Sequence, residues 1–378
     1  LLDLSAAFDT IDHGILLKRL ESVFGINGTA LRWFASYLVG RTQCVIIDQR
    51  LSSPRPLLFG VPQGSVLGPV LFSLYTQPLS DVISRHACEH HKYADDTQLH
   101  KSAQPTEFQP LLQEVELCVS SVKQWMADNK LQLNDGKTES LCVGSKSSLG
   151  KVPSSAATLM VGNSSIHFGS AVRNLGVVLD STLSMDHQVN SVCKSAYLHL
   201  RRISSIRHCL TKAATAQLVA TYILSRLDYC NSLLVGVTKE NLKRLQKVQN
   251  HAARVVCMQS RRARAKPLLQ ELHWLPVCFR IQYKLATLAY RFFDGTLPPY
   301  LSTVLSAYQP SRALRSSKER LLNVSSFSSK RLGYRAFQYQ APLVWNSLPA
   351  KLRSAEDFPQ FKVALKTHLF KLAYHHAR

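Results

Sequence analysis

Two adjacent carboxylates, Asp95 and Asp96, lie in the stretch "HKYADDTQLHKS", flanked by strand-prone residues, in a chain whose formal net charge is +22. The flanks read as strand, tight turn, strand, so the pair falls at a hairpin tip where the two charges repel. A second acidic position constrains the fold as strongly. Asp3 interrupts "LLDLSAAF", an otherwise apolar run that reads as a buried strand over residues 1–8, and a carboxylate there is costly unless it is paired or metal-bound. A solvated turn would account for Asp95 and Asp96, but it gives no reason for Asp3. Two-metal phosphoryl transfer accounts for all three. It needs oxygen ligands on neighbouring strands around two Mg²⁺ ions roughly 3.5–4 Å apart, and those cations reverse the local electrostatics.

Helical periodicity follows the first strand in "HGILLKRLESVFG" and "TALRWFASYLVGR", which predicts two helices. "TQCVIID" reads as a strand, and "GVPQGSVLGPVLFSLYTQPLSDVIS" as a glycine-rich turn opening an apolar helix. Leu111, Val115, Cys118, Val122, Trp125 and Ala127 trace one face of a further amphipathic helix, which runs toward a strand at "KTESLCVG". The Ser- and Ala-rich "SKSSLGKVPSSAAT" reads as a hairpin loop or linker, with short strands after it at "LMVGNSSIHFG" and "NLGVVLD". From about Asp186 the pattern turns helical and basic through "MDHQVNSVCKSAYLHLRRISSIRHCL", "KAATAQLVATYILSRLDYCNSLL", "ENLKRLQKVQNHAARVV" and "LHWLPVCFRIQYKLATLAYRFFDG". The tail from Pro298 carries "APLVWNSLP" and "FKVALKTHLFKLAYHH", apolar enough to pack on those helices.

A chain of 378 residues has room for two or three domains. Its apolar runs fall short of the ~20 residues a membrane helix needs, so no membrane is expected as a partner. Forty-six Lys and Arg against 24 Asp and Glu point to a polyanion, with plain solubility as the bland alternative. Nine scattered cysteines, none in Cys-x-x-Cys spacing, suggest reduced thiols in an intracellular protein. Zinc at Cys88, His90 and His91 is disfavoured, because successive strand residues cannot all point one way.

In order and spacing, "LDLSAAFDTIDH", "GVPQGSVLGPVLF", "KYADD" and "LQLNDGKT" resemble motifs A to D of a reverse transcriptase palm. The type is that of the jockey-like branch of non-LTR (LINE) retrotransposons. "LGVVLD" is similar to the segment leading into that family's thumb. "SRLDYCNSLL", "LQKVQNHAARVV", "LHWLPV" and "APLVWNSLP" look like the branch's basic helical region and tail. The resemblance implies an α+β fold: a polymerase palm, an antiparallel sheet backed by helices, then an α-helical basic thumb and a helical tail. The expected divisions are palm 1–146, linker and palm-to-thumb strands 147–185, thumb 186–294 and C-terminal tail 295–378. The family's finger strands and RNA-binding segment would precede Asp3, with an apurinic-type endonuclease further upstream, so the chain is expected to be a fragment.

The implied activity is RNA-directed DNA polymerisation in target-primed reverse transcription. Template RNA, a DNA primer and deoxynucleoside triphosphates would be the partners, in a nuclear or cytoplasmic ribonucleoprotein. Carried over by position, Asp3 and Asp95 would hold two Mg²⁺ ions, with Mn²⁺ as a substitute, and Asp96 would be a nearby, less demanding carboxylate. Phe8 would lie under the sugar and disfavour a 2′-hydroxyl; Gln63 and Gly64 would line the nucleotide pocket; Lys137 would reach the leaving pyrophosphate. Arg201, Arg202, Arg207, Lys243, Lys247 and Arg254 would grip a nucleic-acid backbone, with Lys243, Lys247 and Arg254 on one solvent-facing stripe. Each has a plainer alternative. The plainer alternative for Phe8 is core packing and for Lys137 a solvated turn, while Asp9 and Asp12 read as a capping or structural pair. Trp274 and Trp345 read as core rather than as base-stacking platforms. A neighbouring enzyme, an RNA-directed RNA polymerase, is disfavoured by Phe8. The non-enzymatic alternative is a truncated, inert remnant or a host-captured nucleic-acid-binding protein.

Overall fold

Alternation along the first residues buries Leu2 and Leu4 and turns Asp3 to the opposite face. The computed structural model describes residues 1–153, 158–162, 164–310, 320–327 and 332–375. The chain divides into two units, Leu1–Val172 and Arg173–Arg378. Mixed helices and small, mostly antiparallel strand pairs make it an α+β protein.

In the first unit, strand β1 (Leu4–Ser5) is followed by helices α1 (His13–Ser22) and α2 (Gly28–Leu38). Helix α1 starts where it does because Asp12 Oδ1 accepts the Ile15 N–H at 2.9 Å. "TQCVIID" is not one strand. It splits into β2 (Thr42–Gln43) and β3 (Ile46–Ile47), which pair with β5 (Arg55–Pro56) and β4 (Arg50–Leu51) on an exposed arm. Helices α3 (Leu67–Thr76) and α4 (Leu79–Ser84) lead to the hairpin β6 (Glu89–Tyr93) and β7 (Asp96–His100).

Helix α5 (Phe108–Asp128) buries Leu112, Cys118, Val119, Val122 and Met126, whereas Ala127 is exposed and Leu111 only half-buried. The inward face is therefore rotated from the one the sequence suggests. Strand β8 (Gln132–Leu133) pairs antiparallel with β1, Leu133 opposite Leu4. "KTESLCVG" makes a single bridge, from Ser140 to Phe168, and an exchange of backbone hydrogen bonds between Glu139 and Leu1, but no continuous ladder, so no strand forms there. Helix α6 (Lys146–Leu149) and the hairpin β9 (Thr158–Val161) and β10 (Ser164–His167) complete the unit. Residues 154–157 of the Ser- and Ala-rich segment lie outside the described residues.

The division falls within β11 (Ala171–Asn174), which pairs with β12 (Val177–Asp180). Asp180 then organises the entry to helix α7 (Asp186–Ser205). Its carboxylate accepts from the Thr182 hydroxyl at 2.8 Å and the backbone N–H groups of Ser184 and Met185 at 2.9 and 2.8 Å. Helix α8 (Lys212–Val219) passes through a π-helical turn, Ala220–Leu224, into α9 (Ser225–Asp228). Helices α10 (Lys239–Val256), α11 (Ala265–Glu271) and α12 (Val277–Phe293) follow, with Asp228 and Arg280 in a bidentate ion pair that ties α9 to α12. The tail supplies α13 (Pro299–Ser302), α14 (Phe337–Asn346), α15 (Ala350–Arg353) and α16 (Phe358–His375). It shares the core of the helices before it. Trp345 is fully buried against Tyr290, Phe293 and Phe361, and its indole N–H donates to the Arg320 carbonyl at 2.6 Å. Trp274 is half-buried on the same core. Residues 311–319 and 328–331, from two of the basic tail segments, lie outside the described residues.

Candidate active site

The backbone sets Asp3 beside Asp96, with Asp95 next to it in the turn. Leu2 and Thr97 exchange both N–H···O bonds, at 2.8 and 3.2 Å, in an antiparallel bridge. One step along that register sets Asp3 beside Asp96, the first residue of β7. On its other side Asp3 accepts the Asn134 N–H at 2.8 Å, next to the pairing of β1 with β8. The acidic segment therefore runs between the β6–β7 hairpin and β8, one strand from each. Asp95 and Ala94 form the two-residue turn closed by the Tyr93–Asp96 pair, and Ala94 adopts φ +54°. A left-handed backbone at a residue with a Cβ is strained, and such strain is common where a turn presents functional groups.

The electrostatics match this convergence. Burial, then Asp95, then Asp3 raise the Asp96 carboxyl above its ordinary pKa. The side chain of Asp3 is 26% exposed, and its Oδ2 atom is buried without a hydrogen-bond donor. Lys137 Nζ stands 3.4 Å from that oxygen as an ion pair lacking hydrogen-bond geometry. Lys137 itself is largely exposed, in a short 3₁₀ turn at Asp135–Lys137 just after β8.

An orphaned carboxylate oxygen beside two further acids suits a divalent cation, since Mg²⁺ takes oxygen ligands only. Among the described residues no three His, Cys, Asp or Glu side chains come close enough to cage a metal.

The segments of motifs A and B meet behind these acids. The Phe8 carbonyl accepts the Val61 N–H at 2.9 Å, and the Gln63 amide donates to Asp9 Oδ1 at 2.7 Å. Gly60, at φ +86°, lies so close that a Cβ would stand 3.0 Å from the backbone of Phe8 and Asp9. Phe8 is half-buried and stacks on Phe72 of α3, ring centroids 4.7 Å apart. Gln63 and Gly64 are exposed, Gly64 with φ +78° and nothing near its missing Cβ. The sequence left Asp9 and Asp12 as a pair. The structure separates their tasks: Asp12 caps α1 and Asp9 holds Gln63. It also adds Arg19, whose guanidinium donates to the Tyr75 carbonyl and to Asn129 Oδ1 and lies over the Tyr75 and Trp125 rings. Only the lone basic residue in the last turn of α1 could have signalled that role.

The basic residues separate into two kinds. Arg201, Arg202, Lys243 and Lys247 are exposed. Arg207 instead donates to the carbonyls of Val255, Val256 and Leu210, closing the C-terminal end of α10. Arg254 is half-buried and donates to the Ala263 carbonyl at 2.9 Å, so the expected stripe of three solvent-facing cations keeps only Lys243 and Lys247. Arg207 is drawn inward by the unpaired carbonyls at the end of α10, and Arg254 by the carbonyl of Ala263 in the turn beyond it. The cysteines are free thiols. Burial and the neighbouring Cys88 push the Cys118 thiol up to about 12. No helix among the described residues is long and apolar enough to cross a membrane.

Comparison with known proteins adds an independent line. Over 267 residues, 68% of this chain, it is 28% identical to a probable RNA-directed DNA polymerase from transposon BS of Drosophila melanogaster. It is 28% identical over 210 residues to the RNA-directed DNA polymerase from mobile element jockey of the same species, and 26% over 227 residues to that of Drosophila funebris. These alignments span 28%, 22% and 24% of the relatives' own lengths. Residues 1–179, which include Asp3, Asp95 and Asp96, match the family described as Reverse transcriptase (RNA-dependent DNA polymerase), in a chain similar to polymerases of jockey-type mobile elements.

Proposed function

We propose that the chain is the polymerising part of a non-LTR retrotransposon's RNA-directed DNA polymerase, extending a DNA primer on template RNA in target-primed reverse transcription. Residues 1–146 are assigned as palm, 147–185 as linker and palm-to-thumb strands, 186–294 as thumb and 295–378 as tail. The observation that carries the reading is the Leu2–Thr97 bridge, which sets Asp3 beside Asp96 and leaves Asp3 Oδ2 buried without a donor.

Asp3 and Asp95 are the metal ligands in this reading, and Asp96 adds to the negative field that holds the cations. Bound there, two Mg²⁺ ions, or Mn²⁺ in their place, would supply the Lewis acidity that lowers the pKa of a primer 3′-hydroxyl and the positive charge that offsets the phosphate's. Lys137 offers a proton or a point charge to the leaving pyrophosphate. Phe8, held on Phe72, floors the deoxyribose site. Gln63, fixed on Asp9, steadies the loop that carries Gly64, where a missing side chain lets substrate approach the backbone. The exposed Arg201, Arg202, Lys243 and Lys247 are the backbone-gripping cations, with Arg207 and Arg254 supporting the helix that bears the lysines.

Primer extension on an RNA template, by a chain carrying the family's finger segment ahead of Leu1, tests the reading. Asp95→Asn keeps the side chain's size and removes a ligand charge, so extension should fall by at least about 100-fold while RNA binding stays unchanged. A normal rate in Asp95→Asn would mean that the acidic turn is an ordinary hairpin tip. No extension by the unsubstituted chain at any Mg²⁺ or Mn²⁺ concentration would leave the inert nucleic-acid-binding remnant.

A further inference from the structure

The second unit contains a cleft of about 1020 Å³ that none of the palm motifs touches. One wall is helix α7, whose buried face carries Val189, Cys193, Ala196, Leu200 and Ile203. The same helix presents a second stripe to the cleft, with Lys194, Tyr197 and Arg201 spaced three and four residues apart on one exposed face. The β11–β12 hairpin contributes Arg173, helix α9 contributes Arg226, and Tyr229 follows directly after that helix.

This wall is a built one. The π-turn at Ala220–Leu224 widens the helix just before α9, a feature that recurs at functional sites. With that turn in place the Tyr222 ring stacks on His199, centroids 5.2 Å apart, and Arg226 Nη2 lies 3.3 Å from His199 Nε2. Arg226 Nε also donates to the Tyr222 carbonyl at 3.1 Å. Across the cleft the Tyr229 hydroxyl donates to the Leu175 carbonyl at 2.6 Å, beside Gly176 at φ +80°. Burial, then Arg226 and Arg202, lower the pKa of His199, so the imidazole stays neutral beside the guanidinium.

Four cations therefore face one cleft, and no acidic side chain lines it among the described residues. None of the four forms an ion pair with a carboxylate of the described residues. Like charges held together in this way favour an anion. The volume lies at the top of the range that encloses one small ligand, roughly 300–1,000 Å³, and exceeds what a lone phosphate fills. Cations interleaved with exposed aromatic rings are the chemistry that holds single-stranded nucleic acid: the charges follow the backbone and the rings stack on bases.

We propose that this cleft, formed by Arg173, Lys194, Tyr197, Arg201, Arg226 and Tyr229, binds a short run of single-stranded nucleic acid. The site is separate from the Lys243 and Lys247 face. It deepens the polymerase reading and rests on it for the class of ligand alone.

The test is fluorescence anisotropy of the chain with labelled oligo(U) RNA of about 15 nucleotides, against unlabelled duplex RNA and phosphatidylserine vesicles as competitors. Arg173→Gln with Arg226→Gln should weaken oligo(U) binding at least tenfold and flatten the dependence of log K on log salt by about 1.4, at roughly 0.7 per phosphate contact. Tyr197→Ala should weaken binding about tenfold, and Tyr197→Phe, which keeps the ring, should not. Restoring both charges as lysine should recover most of the affinity, which separates the role of charge from a folding defect. Unchanged affinity and slope in the glutamine pair would overturn the proposal. So would displacement of the oligonucleotide by duplex or vesicles as readily as by unlabelled oligo(U). The polymerase reading is tested apart, because Asp95→Asn should lose extension yet bind oligo(U) as before. A chain that never extends a primer but loses oligo(U) in the cleft variants supports the cleft without the polymerase. One that extends normally while those variants bind as before overturns the cleft alone.

Discussion

Phe8 sits between two roles. Its ring is half-buried on Phe72, as a core residue would be, and its carbonyl fixes Val61 beside the loop of Gln63 and Gly64, as a pocket residue would. Phe8→Ala distinguishes them. If the ring floors the sugar site, ribonucleotide incorporation relative to deoxynucleotide rises in primer extension, because the void admits a 2′-hydroxyl. Unchanged sugar selectivity with a lower melting temperature would assign Phe8 to the core, where losing such a ring costs about 3–5 kcal/mol. At this scale the sequence was informative where chemistry is expensive. A carboxylate in an apolar strand and a repelling pair at a turn each marked a candidate position, and the backbone brings Asp3 and Asp96 side by side. It was uninformative where a polar side chain serves a carbonyl. Nothing in the spacing of Arg207 or Arg254 separates them from Lys243 and Lys247, because an inward turn depends on which carbonyls the fold leaves unpaired.

At the scale of elements, helices were the legible part. Their period shows through α1, α2, α7, α10 and α12, and side-chain caps mark the starts of α1 at Asp12 and α10 at Thr238. Strands were less legible, since a strand exists only where a partner meets it. "TQCVIID" breaks into two short pairs, and "KTESLCVG" keeps one bridge. The loop from β12 into α7 shows what the sequence conceals. Burial pushes the Asp180 carboxyl up, but hydrogen bonds from Ser184, Thr182 and Met185 outweigh it and hold its pKa below the ordinary value. The folded pKa is thus depressed. Its stabilisation is fully present above the unfolded value near ~3.9 and is lost as pH falls through the folded one. Asp180→Asn should cost about 2 kcal/mol at pH 7, since bonds to a charged acceptor are replaced by an amide that offers donors to donors. Urea unfolding at pH 7 and at pH 3 should show that gap narrowing at the lower pH. A gap that stayed constant would mean that the loop does not depend on the charge.

Charge is unevenly shared across the whole molecule. Of 46 Lys and Arg, 32 fall in Arg173–Arg378, against 9 of 24 Asp and Glu. Leu1–Val172 is close to neutral, so the acids of motifs A and C lie in a unit without a large net charge, and the excess positive charge belongs to the helical unit. That division makes binding and catalysis separately measurable. Lys243 and Lys247 stand one turn apart on α10, exposed, opposite a face that buries Leu245, Val248, Ala252 and Val256. Replacing both by Ala removes charge without opening the core and leaves two good helix formers in a helix. If they contact phosphates, counterion release sets the size of the effect: the slope of log K for RNA against log salt should flatten by about 1.4 to 1.8. The melting temperature should hold, and sequence preference should stay as weak as before, because phosphates carry no base information. Arg207→Ala should behave in the opposite way, lowering the melting temperature through three unpaired carbonyls with little change in the salt slope. An unchanged slope in the double lysine variant would make that face an ordinary solvated surface and would move nucleic-acid binding elsewhere in the basic unit. A steep loss on Arg207→Ala with full stability would reverse the division between gripping and supporting cations.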